Sequence, residues 1–391
     1  MDERMGFVAD YLSGGFTMTE LCERYHVSRP TGYALVRRYQ REGPAGLVAR
    51  SRRPHHTPAA TPVAIARAVV ALRRRHPDWG PVKLRDRLAL RAPDQPWPAP
   101  STIGALLTRE GLVSRRRRRR AIPSGPRPAT TMDTPNAVWT IDYKGEFRTG
   151  DGQWCYPLTL MDGCSRYLLA CAALPHPRLP PTRAVLERTF REYGLPGRIR
   201  SDNGHPFAAP SALARLSRLA VWWIRLGIVP ELIQPGCPAQ NGRHERMHRT
   251  LKQATTRPPA STRITQQRRF RAFIREYNED RPHAALDGLT PSMVYVPSTR
   301  LWSGEIPPVV YPGHFEVRRV NSSGAMKWHT RVVPVSLVLT GEEIGLEERA
   351  DGEWAVYFGP VRLGTLDERL GRIQPVIHDH GGALAATGGS R

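Results

Sequence analysis

The segment from Gln234 to Lys252, QPGCPAQNGRHERMHRTLK, constrains the fold of this chain more than any other. A loop broken by proline and glycine ends at Asn241-Gly242, and a helical pattern follows it. The spacing of three and four residues predicts an outward face of Glu245, His248, Arg249 and Lys252, opposite a core face of Met247, Leu251 and Ala254. A carboxylate among cations after a glycine turn indicates metal and phosphate chemistry. An ordinary surface pair of Glu245 with Arg249 is the alternative.

Two aspartates upstream decide between these alternatives. WTIDYKG places Asp142 inside a predicted strand, and SDNG places Asp202 at the end of a later strand, at a turn that contains glycine. Acids in the middle of a strand, at the end of a strand and on a helix converge only through the fold. Two divalent ions about 4 Å apart need several carboxylate oxygens, and Mg²⁺ keeps water and substrate phosphate as its other ligands. The three acids together therefore indicate phosphate chemistry.

The charge of the chain favours a nucleic acid as its partner. The net charge is +23, and the excess of lysine and arginine is concentrated in residues 1–130. The five cysteines are scattered without a C-x-x-C pair, which argues against disulfides and a zinc finger and for a reducing compartment. The sequence has no signal-peptide pattern and no apolar run of membrane-spanning length. We therefore expect a soluble cytoplasmic protein with no membrane partner.

Residues 7–43 predict three short helices of a helix-turn-helix unit. Thr17 and Glu20 have capping-box spacing at the start of the second helix, and Gly43-Pro44 ends the third. The third helix turns Arg29, Thr31, Tyr33, Arg37 and Arg38 outward, as a helix in the major groove does. A small helical bundle with a solvated basic face is the alternative, and the net charge favours DNA.

Residues 62–113 predict a second helical unit. Its helices cover Val63–Arg75 and Val82–Leu90, and a third begins near Ser101 as the N-cap. Six consecutive arginines, Arg115 to Arg120, and a stretch rich in proline, serine and threonine follow. Such a run is usually disordered and solvated. Between DNA-binding helices and a catalytic domain, contact with phosphates is the favoured use.

From Ala137 the pattern changes to an α/β arrangement. The predicted strands are Ala137–Phe147, Trp154–Met161, Tyr167–Ala173, Arg198–Ser201 and Ile228–Ile233, and the predicted helices are Pro181–Tyr193 and Leu213–Arg225. Asp162-Gly163 and Asp151-Gly152 have the composition of turns, so neither aspartate is a favoured site residue. Beyond Val309, alternating strands with turns at Asn321–Gly324 and Asp351-Gly352 predict a small β-barrel.

Four segments carry a family resemblance. WTIDYKG, SDNGHPF, NGRHERMHRTLK and RPHAALDGLTP resemble, in order, the sequence blocks of DDE transposases of bacterial insertion sequences, whose catalytic core is shared with retroviral integrases. The resemblance implies a ribonuclease H-like core with a five-stranded mixed sheet flanked by helices. It also implies that Asp142, Asp202 and Glu245 are catalytic residues that bind two Mg²⁺ (or Mn²⁺) ions. The segment between Asp202 and Glu245 is longer than the family's usual one, and the extra length falls near Ala208–Arg218.

The chain is accordingly predicted to be a multidomain DNA transposase. The expected domains are a helix-turn-helix domain (1–50), a second helical domain (60–113), a disordered basic linker (114–135), the core (136–297), the β-barrel (305–372) and a disordered tail (380–391). The expected partners are double-stranded DNA, both the terminal inverted repeats and the target, and further copies of the chain on that DNA. The predicted DNA contacts are Arg29, Tyr33, Arg37, Arg38, Arg115, Arg116, Arg117, Arg118, Arg249 and Lys252.

Three other functions fit parts of the sequence. A DNA-binding regulator and a nuclease are possible on the same core. The residues His244-Glu245-Arg246-Met247-His248 also match H-E-x-x-H, in which two histidines bind zinc and the glutamate is the base of a peptidase. No third zinc ligand follows at the expected spacing, so this match has about one chance in twenty of being a zinc site. The two histidines are expected to flank the carboxylate near DNA.

Overall fold

A computed structural model describes residues 2–49, 60–113, 130–234 and 237–376. The chain divides into two compact units, Met1–Pro62 and Val63–Arg391. The predicted DNA contacts Arg115, Arg116, Arg117 and Arg118 and the predicted tail 380–391 lie outside the described residues. No helix among the described residues combines the length and the apolar character needed to cross a membrane.

The first unit is a three-helix arrangement of α1 (Asp2–Leu12), α2 (Met18–Arg24) and α3 (Arg29–Glu42), closed by a 3-10 turn at Gly43–Leu47. The predicted capping box is confirmed, because the Glu20 backbone N–H donates to the Thr17 hydroxyl and the Glu20 carboxylate accepts from the Thr17 N–H. Helices α2 and α3 approach closely at Gly32, where a Cβ would lie 2.9 Å from the Met18 sulfur. The core includes Phe7, Leu21 and Leu35.

The second helical region contains α4 (Val63–Arg75), α5 (Pro81–Arg91) and α6 (Pro100–Arg109). These helices surround a core that includes Trp79, Leu84 and Ile103. The prediction that Ser101 caps α6 was wrong. The N-cap is Ala99, two residues earlier, because a proline at the first helical position has a backbone angle that already suits a helix.

The central element is a mixed β-sheet. Its strands are β1 (Val138–Tyr143), β2 (Phe147–Arg148), β3 (Trp154–Asp162), β4 (Leu168–Leu174), β5 (Arg198–Ser201) and β6 (Val229–Leu232). β4, β3 and β1 are antiparallel neighbours, whereas β1, β5 and β6 run parallel. The predicted five-strand mixed arrangement is present, and β2 adds a short sixth strand beside β3.

Helices cover both faces of this sheet. On one face, α7 (Leu179–Tyr193) and α8 (Arg218–Arg225) pack against the side chains of Trp139 and Ile141 from β1. On the other face, α9 (Gly242–Thr255) and α10 (Arg263–Arg275) pack against residues such as Met161. Because side chains alternate along a strand, Thr140 and Asp142 face α9. The chain then passes through a π-turn at Glu276–Asp280 to the short helix α11 (Pro291–Val294).

The C-terminal region is an open sheet rather than a closed barrel. Strands β7 (Glu316–Arg319), β10 (Glu343–Ala350), β11 (Glu353–Phe358), β12 (Val361–Asp367) and β13 (Arg372–Pro375) pair in the order β13-β12-β11-β10-β7. β8 (Ala325–Trp328) forms a ladder with β9 (Arg331–Pro334) and meets the end of β7 only through a single bridge between Met326 and Val320. The two predicted hairpin turns lie between these strands. The predicted barrel is not confirmed, because the β8–β9 hairpin contacts the end of β12 through the Trp328 and Arg331 side chains instead of a backbone ladder.

The extra length before Glu245 has a structural use. Part of it forms a 3-10 turn at Leu213–Arg215, and α8 follows directly. Leu216, Val221 and Ile224 from this region join the apolar core of the C-terminal sheet. Arg225 adds an ion pair with Glu342 at 3.3 Å. The lengthened segment therefore supplies much of the surface on which the C-terminal sheet packs.

Candidate active site

Asp142 lies near the end of β1, on the face that α9 covers. It pairs across the ladder with Thr159 of β3, and its side chain is 20% exposed. Burial raises the pKa of Asp142 to about 7, and the negative charges of Asp202 and Glu245 act in the same direction. A backbone hydrogen bond at Tyr143 and the charge of Lys144 oppose this rise. The other two predicted acids are therefore close enough to Asp142 to repel its charge.

Asp202 follows the last residue of β5, at the edge where the parallel strands end. One carboxylate oxygen accepts the backbone N–H of Gly204 at 3.1 Å. The side chain of Asn203 donates to the carbonyl of Ile233 at 2.8 Å, which holds this turn against the end of β6. A Cβ at Gly204 would lie 3.2 Å from the Asp202 carboxylate, so the glycine leaves room for the acid.

Glu245 lies in the first turn of α9 and is exposed. The partial positive charge of a helix N-terminus favours a carboxylate at this position. The chain thus presents three acids from three elements, as the sequence predicts: one from a strand, one from a strand end and one from a helix. Arg249 and Lys252 are exposed on the same helix.

The two histidines of α9 are buried against the sheet. His244 is 0% and His248 is 4% exposed, so the prediction that His248 shares the outward face of Glu245 was wrong. Ala254, which was predicted to face the core, is exposed, and Thr255 is buried there instead. The physical reason is the polar floor of the sheet, because the hydroxyls of Thr140 and Thr159 provide partners for imidazoles at this position.

One hydrogen-bond arrangement satisfies all these contacts. The Thr159 hydroxyl donates to the Asp142 carbonyl at 3.0 Å and accepts from the Nε2–H groups of His244 and His248 at 2.6 and 2.7 Å. Nδ1 of His244 then accepts from the Thr140 hydroxyl at 2.7 Å. Burial lowers the pKa of His244 to about 3 and also lowers that of His248. Both rings are therefore neutral and fasten α9 to the strand that carries Asp142.

Sequence analysis missed Thr140 and Thr159. Thr140 had a readable signal, because it lies two residues before Asp142 and shares its face of the strand. Thr159 had none, since its place opposite Asp142 depends on the register between β1 and β3.

These contacts do not support the zinc-peptidase alternative. Both ring nitrogens of His244 contact threonine hydroxyls in a fully buried position, whereas a zinc-binding helix directs two imidazoles at one ion. The acids offer a different donor set. Three carboxylates without a thiolate suit a hard divalent cation such as Mg²⁺. Within residues 2–49, 60–113, 130–234 and 237–376, no three His, Cys, Asp or Glu side chains already stand close enough to hold a metal ion.

The remaining acids of the core have other surroundings. Asp162 is 0% exposed and accepts hydrogen bonds from the N–H groups of Asn136 and Ser165 and from the Ser165 hydroxyl. Asp151 accepts from the Thr149 hydroxyl in its turn. Glu146 is exposed and lies between β1 and β2 rather than within a strand.

The predicted DNA contacts of α3 divide into two groups. Arg29, Tyr33 and Arg37 are exposed along one side of the helix. Arg38 is only partly exposed, and its guanidinium donates to the Val48 carbonyl at 2.8 Å. The prediction that Arg38 points outward was wrong, because its long side chain folds back to hold the turn that follows α3.

Family comparisons match both parts of the chain. An integrase core domain family matches residues 133–238, and a second integrase core family matches residues 226–291. A helix-turn-helix domain matches residues 3–55, and a homeodomain-like domain matches residues 31–107. The integrase matches include Asp142, Asp202 and Glu245.

Curated relatives come from insertion elements and retroviruses. The uncharacterized 31.7 kDa protein of insertion element IS407 from Burkholderia multivorans is 29% identical over 192 residues, which are 49% of this chain and 66% of that protein. The uncharacterized 39.2 kDa protein of IS476 from Xanthomonas euvesicatoria is 25% identical over 272 residues, which are 68% of this chain and 70% of that protein. The Gag-Pol polyprotein of baboon endogenous virus is 29% identical over 44% of this chain and 9% of its own length.

Solved structures give matches of low similarity. The catalytic core domain of the HTLV-2 integrase in complex with magnesium has a TM-score of 0.32 and 15% identity, over 41% of this chain and 97% of that one. A chain of the simian T-cell lymphotropic virus intasome with a PP2A regulatory subunit has a TM-score of 0.36 and 14% identity, over 71% of this chain and 92% of that one.

Proposed function

We propose that this chain, a DDE transposase with an integrase core of the retroviral type, cuts DNA at the ends of an insertion element and joins the freed 3′ ends to target DNA. One observation carries the proposal. Asp142, Asp202 and Glu245 come from three separate elements, yet the charges of the latter two act on the first. Such a concentration of like charge is unfavourable without a cation, and phosphoryl transfer requires cations at the reacting phosphate.

Mg²⁺ or Mn²⁺ fits this donor set, and Asp142, Asp202 and Glu245 are the residues that would hold it. Two ions are proposed, since three carboxylates can share a pair of ions through bridging oxygens. A bound divalent ion supplies Lewis-acid polarisation of the phosphate and a lowered pKa of water for the attack. The chain's own part is to bring the three acids to one place and to hold the DNA there.

The buried polar contacts of α9 serve this positioning. Thr159 contacts both histidines of the helix and the backbone of Asp142, so one hydroxyl ties Glu245's helix to Asp142's strand. Neutral imidazoles do this without adding charge beside the acids. Arg249 and Lys252 are exposed farther along α9 and are proposed to contact the DNA backbone.

The remaining regions are proposed to bind and align DNA. Residues 1–50 and 60–113 would act as two DNA-binding domains, with Arg29, Tyr33 and Arg37 of α3 in the major groove. Residues 114–135 would link them to the core at 136–297, and residues 305–372 would form a C-terminal domain built on the open sheet. The double-stranded substrates would be the element's terminal inverted repeats and the target. Several copies of the chain on this DNA, in the cytoplasm, complete the proposal.

The test uses the DNA that flanks the gene. The purified full chain is mixed with labelled fragments from both flanks and a supercoiled plasmid, with Mg²⁺, with Mn²⁺ or with a chelator. The expected result is cutting that depends on the metal ion and exposes a 3′-hydroxyl, followed by covalent joining to the plasmid. Cutting without joining would identify a nuclease, and DNA binding without cutting would identify a regulator. One tightly bound zinc per chain together with peptidase activity would contradict the proposal.

A further inference from the structure

A cluster of three arginines lies at the start of α9, the helix that carries Glu245, and sequence analysis did not single it out. Arg166 is in the turn between β3 and β4, and Arg243 and Arg246 are three residues apart on the first turns of α9. The Arg243 guanidinium donates to the carbonyl of Gly163 at 2.7 Å, which brings the start of α9 to the turn that carries Arg166. These three residues are called the arginine cluster below.

No ion pair joins the arginine cluster to a carboxylate within the described part of the chain, although the charge of Asp133 acts on Arg243. Arg166 is only partly exposed, and its Nε–H is buried without a hydrogen-bond acceptor. Burial and then the positive charges of its two cluster neighbours lower the pKa of Arg166 to about 10. Asp162, in the same turn, is already occupied by Asn136 and Ser165.

Arg200 is a buried arginine whose guanidinium has partners inside the protein, and it serves as a comparison. Arg200 is 2% exposed, and it forms an ion pair with Glu231 at 2.7 Å and donates to the carbonyl of Thr130. A buried cation without such a partner is costly, because its lost hydration is not replaced. Arg166, whose Nε–H is buried without an acceptor, carries part of that cost, whereas Arg243 and Arg246 are exposed. An anion from outside the chain would remove the cost.

We propose that the arginine cluster binds a backbone phosphate of the substrate DNA within a few nucleotides of the scissile bond. The inference rests on the proposed function and adds a second point at which the chain grips the cleaved strand. Glu245 lies between Arg243 and Arg246 on α9, so these two arginines are within about one helical turn, 5.4 Å, of that acid. Arg166 is close enough to both for their charges to act on it. Successive phosphates of a strand rise by about 3.4 Å, so a phosphate within a few nucleotides of the one at the acids can reach the cluster. Guanidinium groups bind phosphate oxygens through paired N–H donors.

The first test measures DNA binding by the full-length chain as a function of salt. Arg166→Gln should weaken binding of end DNA by about tenfold, the effect of one charged hydrogen-bonded contact. The slope of log affinity against log salt should fall by about one, and by about two when Arg246→Gln is added. Arg166→Lys keeps the charge and should keep the slope while losing part of the affinity.

Arg188→Gln is the matched control. Arg188 is exposed on α7, which covers the opposite face of the sheet, and should keep both the affinity and the slope of the wild type. Thermal unfolding of every variant is measured as well, so that a folding defect is distinguished from the loss of a DNA contact.

The second test removes single phosphate charges from the DNA. End DNA carrying one neutral methylphosphonate is scanned across the cut site. At one position the neutral linkage should weaken binding by the wild type. The same linkage should not weaken binding by Arg166→Gln any further, because that variant already lacks the contact. Wild-type salt slopes in the variants, or equal losses at every position, would overturn the inference. A change in self-association without DNA, at an unchanged salt slope, would show a protein partner instead and would also overturn it.

These outcomes separate the two proposals. If the wild type fails to cut end DNA with Mg²⁺, the proposed function fails. If the wild type cuts normally and the arginine variants bind and cut as it does, only the phosphate site fails.

Discussion

Two aspartates on neighbouring strands separate structure from chemistry in this fold. Asp162, at the end of β3, is fully buried and accepts three hydrogen bonds from Asn136 and Ser165. Asp142, on β1, is partly exposed, and the nearest cation-forming group is His248 at 3.6 Å, which is neutral. Its neighbours are like charges that raise its pKa. The fold therefore supplies hydrogen-bond donors to Asp162, whereas Asp142 is left to bind a partner from outside the chain.

The same contrast recurs among the arginines. Arg200 is paired inside the protein and Arg166 is not. On α3, Arg38 is partly buried and donates to the Val48 carbonyl beyond the helix, whereas Arg37 is exposed and donates to the Tyr33 carbonyl of its own helix. Side chains whose polar groups have partners inside the protein are therefore expected to control stability. Side chains near the site that lack such partners are expected to control the binding of DNA and metal.

The largest expected effect is at Asp142. Asp142→Asn should lower metal-dependent cleavage by about three orders of magnitude or more, because a metal ligand contributes several kcal/mol to the transition state. Its stability should stay near that of the wild type, since burial and the charges of Asp202 and Glu245 disfavour the ionised carboxylate in the folded chain. Single-turnover cleavage and urea unfolding give the two values. A large loss of stability would show that Asp142, like Asp162, has a structural role, and would contradict the difference drawn between the two aspartates.

Asp162→Ala should behave in the opposite way. It should lower the free energy of unfolding by about 2–4 kcal/mol, because it leaves buried N–H groups of Asn136 and Ser165 without acceptors. Cleavage per folded molecule should stay within several-fold of the wild type. If this variant is stable and loses all cleavage, Asp162 belongs to the reacting centre.

His244→Ala tests the saturated groups of α9. We expect a loss of about 2 kcal/mol in stability, from lost packing and unpaired hydroxyls of Thr140 and Thr159. Cleavage that depends on Mg²⁺ should persist at a reduced rate, and metal analysis should find no stoichiometric zinc in the wild type. Loss of a bound zinc on this substitution would restore the peptidase alternative.

His283 has a buried ring nitrogen, Nε2, without a hydrogen-bond partner, but it lies away from the acids. It therefore tests whether the lack of a partner alone indicates a functional role. Burial first, and then the charges of Lys83, Arg281 and Arg166, lower its pKa to about 3 from 6.5. Below pH about 6.5 the unfolded chain therefore binds one more proton than the folded chain, and stability falls as pH falls. The expected contribution is about 1.4 kcal/mol per pH unit. His283→Phe should remove that slope in unfolding curves between pH 6.5 and 5.5 without affecting cleavage, and an unchanged slope would contradict the account.

The smallest effect is expected on α3. Arg37→Gln should weaken binding of end DNA several-fold and reduce its salt dependence, because one phosphate or base contact is lost. Arg38→Gln should chiefly lower the stability of the first unit by loosening the turn at Val48. Filter binding and thermal unfolding separate the two. Equal losses of affinity at both positions would show that exposure does not distinguish them.

The sequence was sufficient where local pattern determines the outcome. Capping-box spacing located the start of α2, and the order of β-rich and helical segments predicted the mixed sheet. The three acids were proposed because each lies in a short, recognisable segment. The surroundings of these acids were not predictable, since they depend on register and on how α9 rests on the sheet. His248 illustrates this: helical spacing placed it outward, but Thr159 on a distant strand provides a buried partner.

The C-terminal sheet illustrates a second limit. Its turns were readable from Asn-, Asp- and Gly-containing segments, but closure into a barrel depends on contacts between strands that are distant in sequence. The role of the lengthened segment before Glu245 was also hidden, because its apolar side chains could equally well have joined the central sheet. Leu216 and Ile224 instead belong to the core of the C-terminal sheet.

The most direct test of the central claim is the single-turnover cleavage of end DNA by Asp202→Asn. The substitution keeps the shape of the side chain and an acceptor for the Gly204 N–H, so the variant should fold and bind DNA as the wild type does. With Mg²⁺ it should give no measurable 3′-hydroxyl product, and adding Asp142→Asn should cause no further loss, because the acids act as one unit. A folded Asp202→Asn variant that cuts at nearly the wild-type rate would contradict the account.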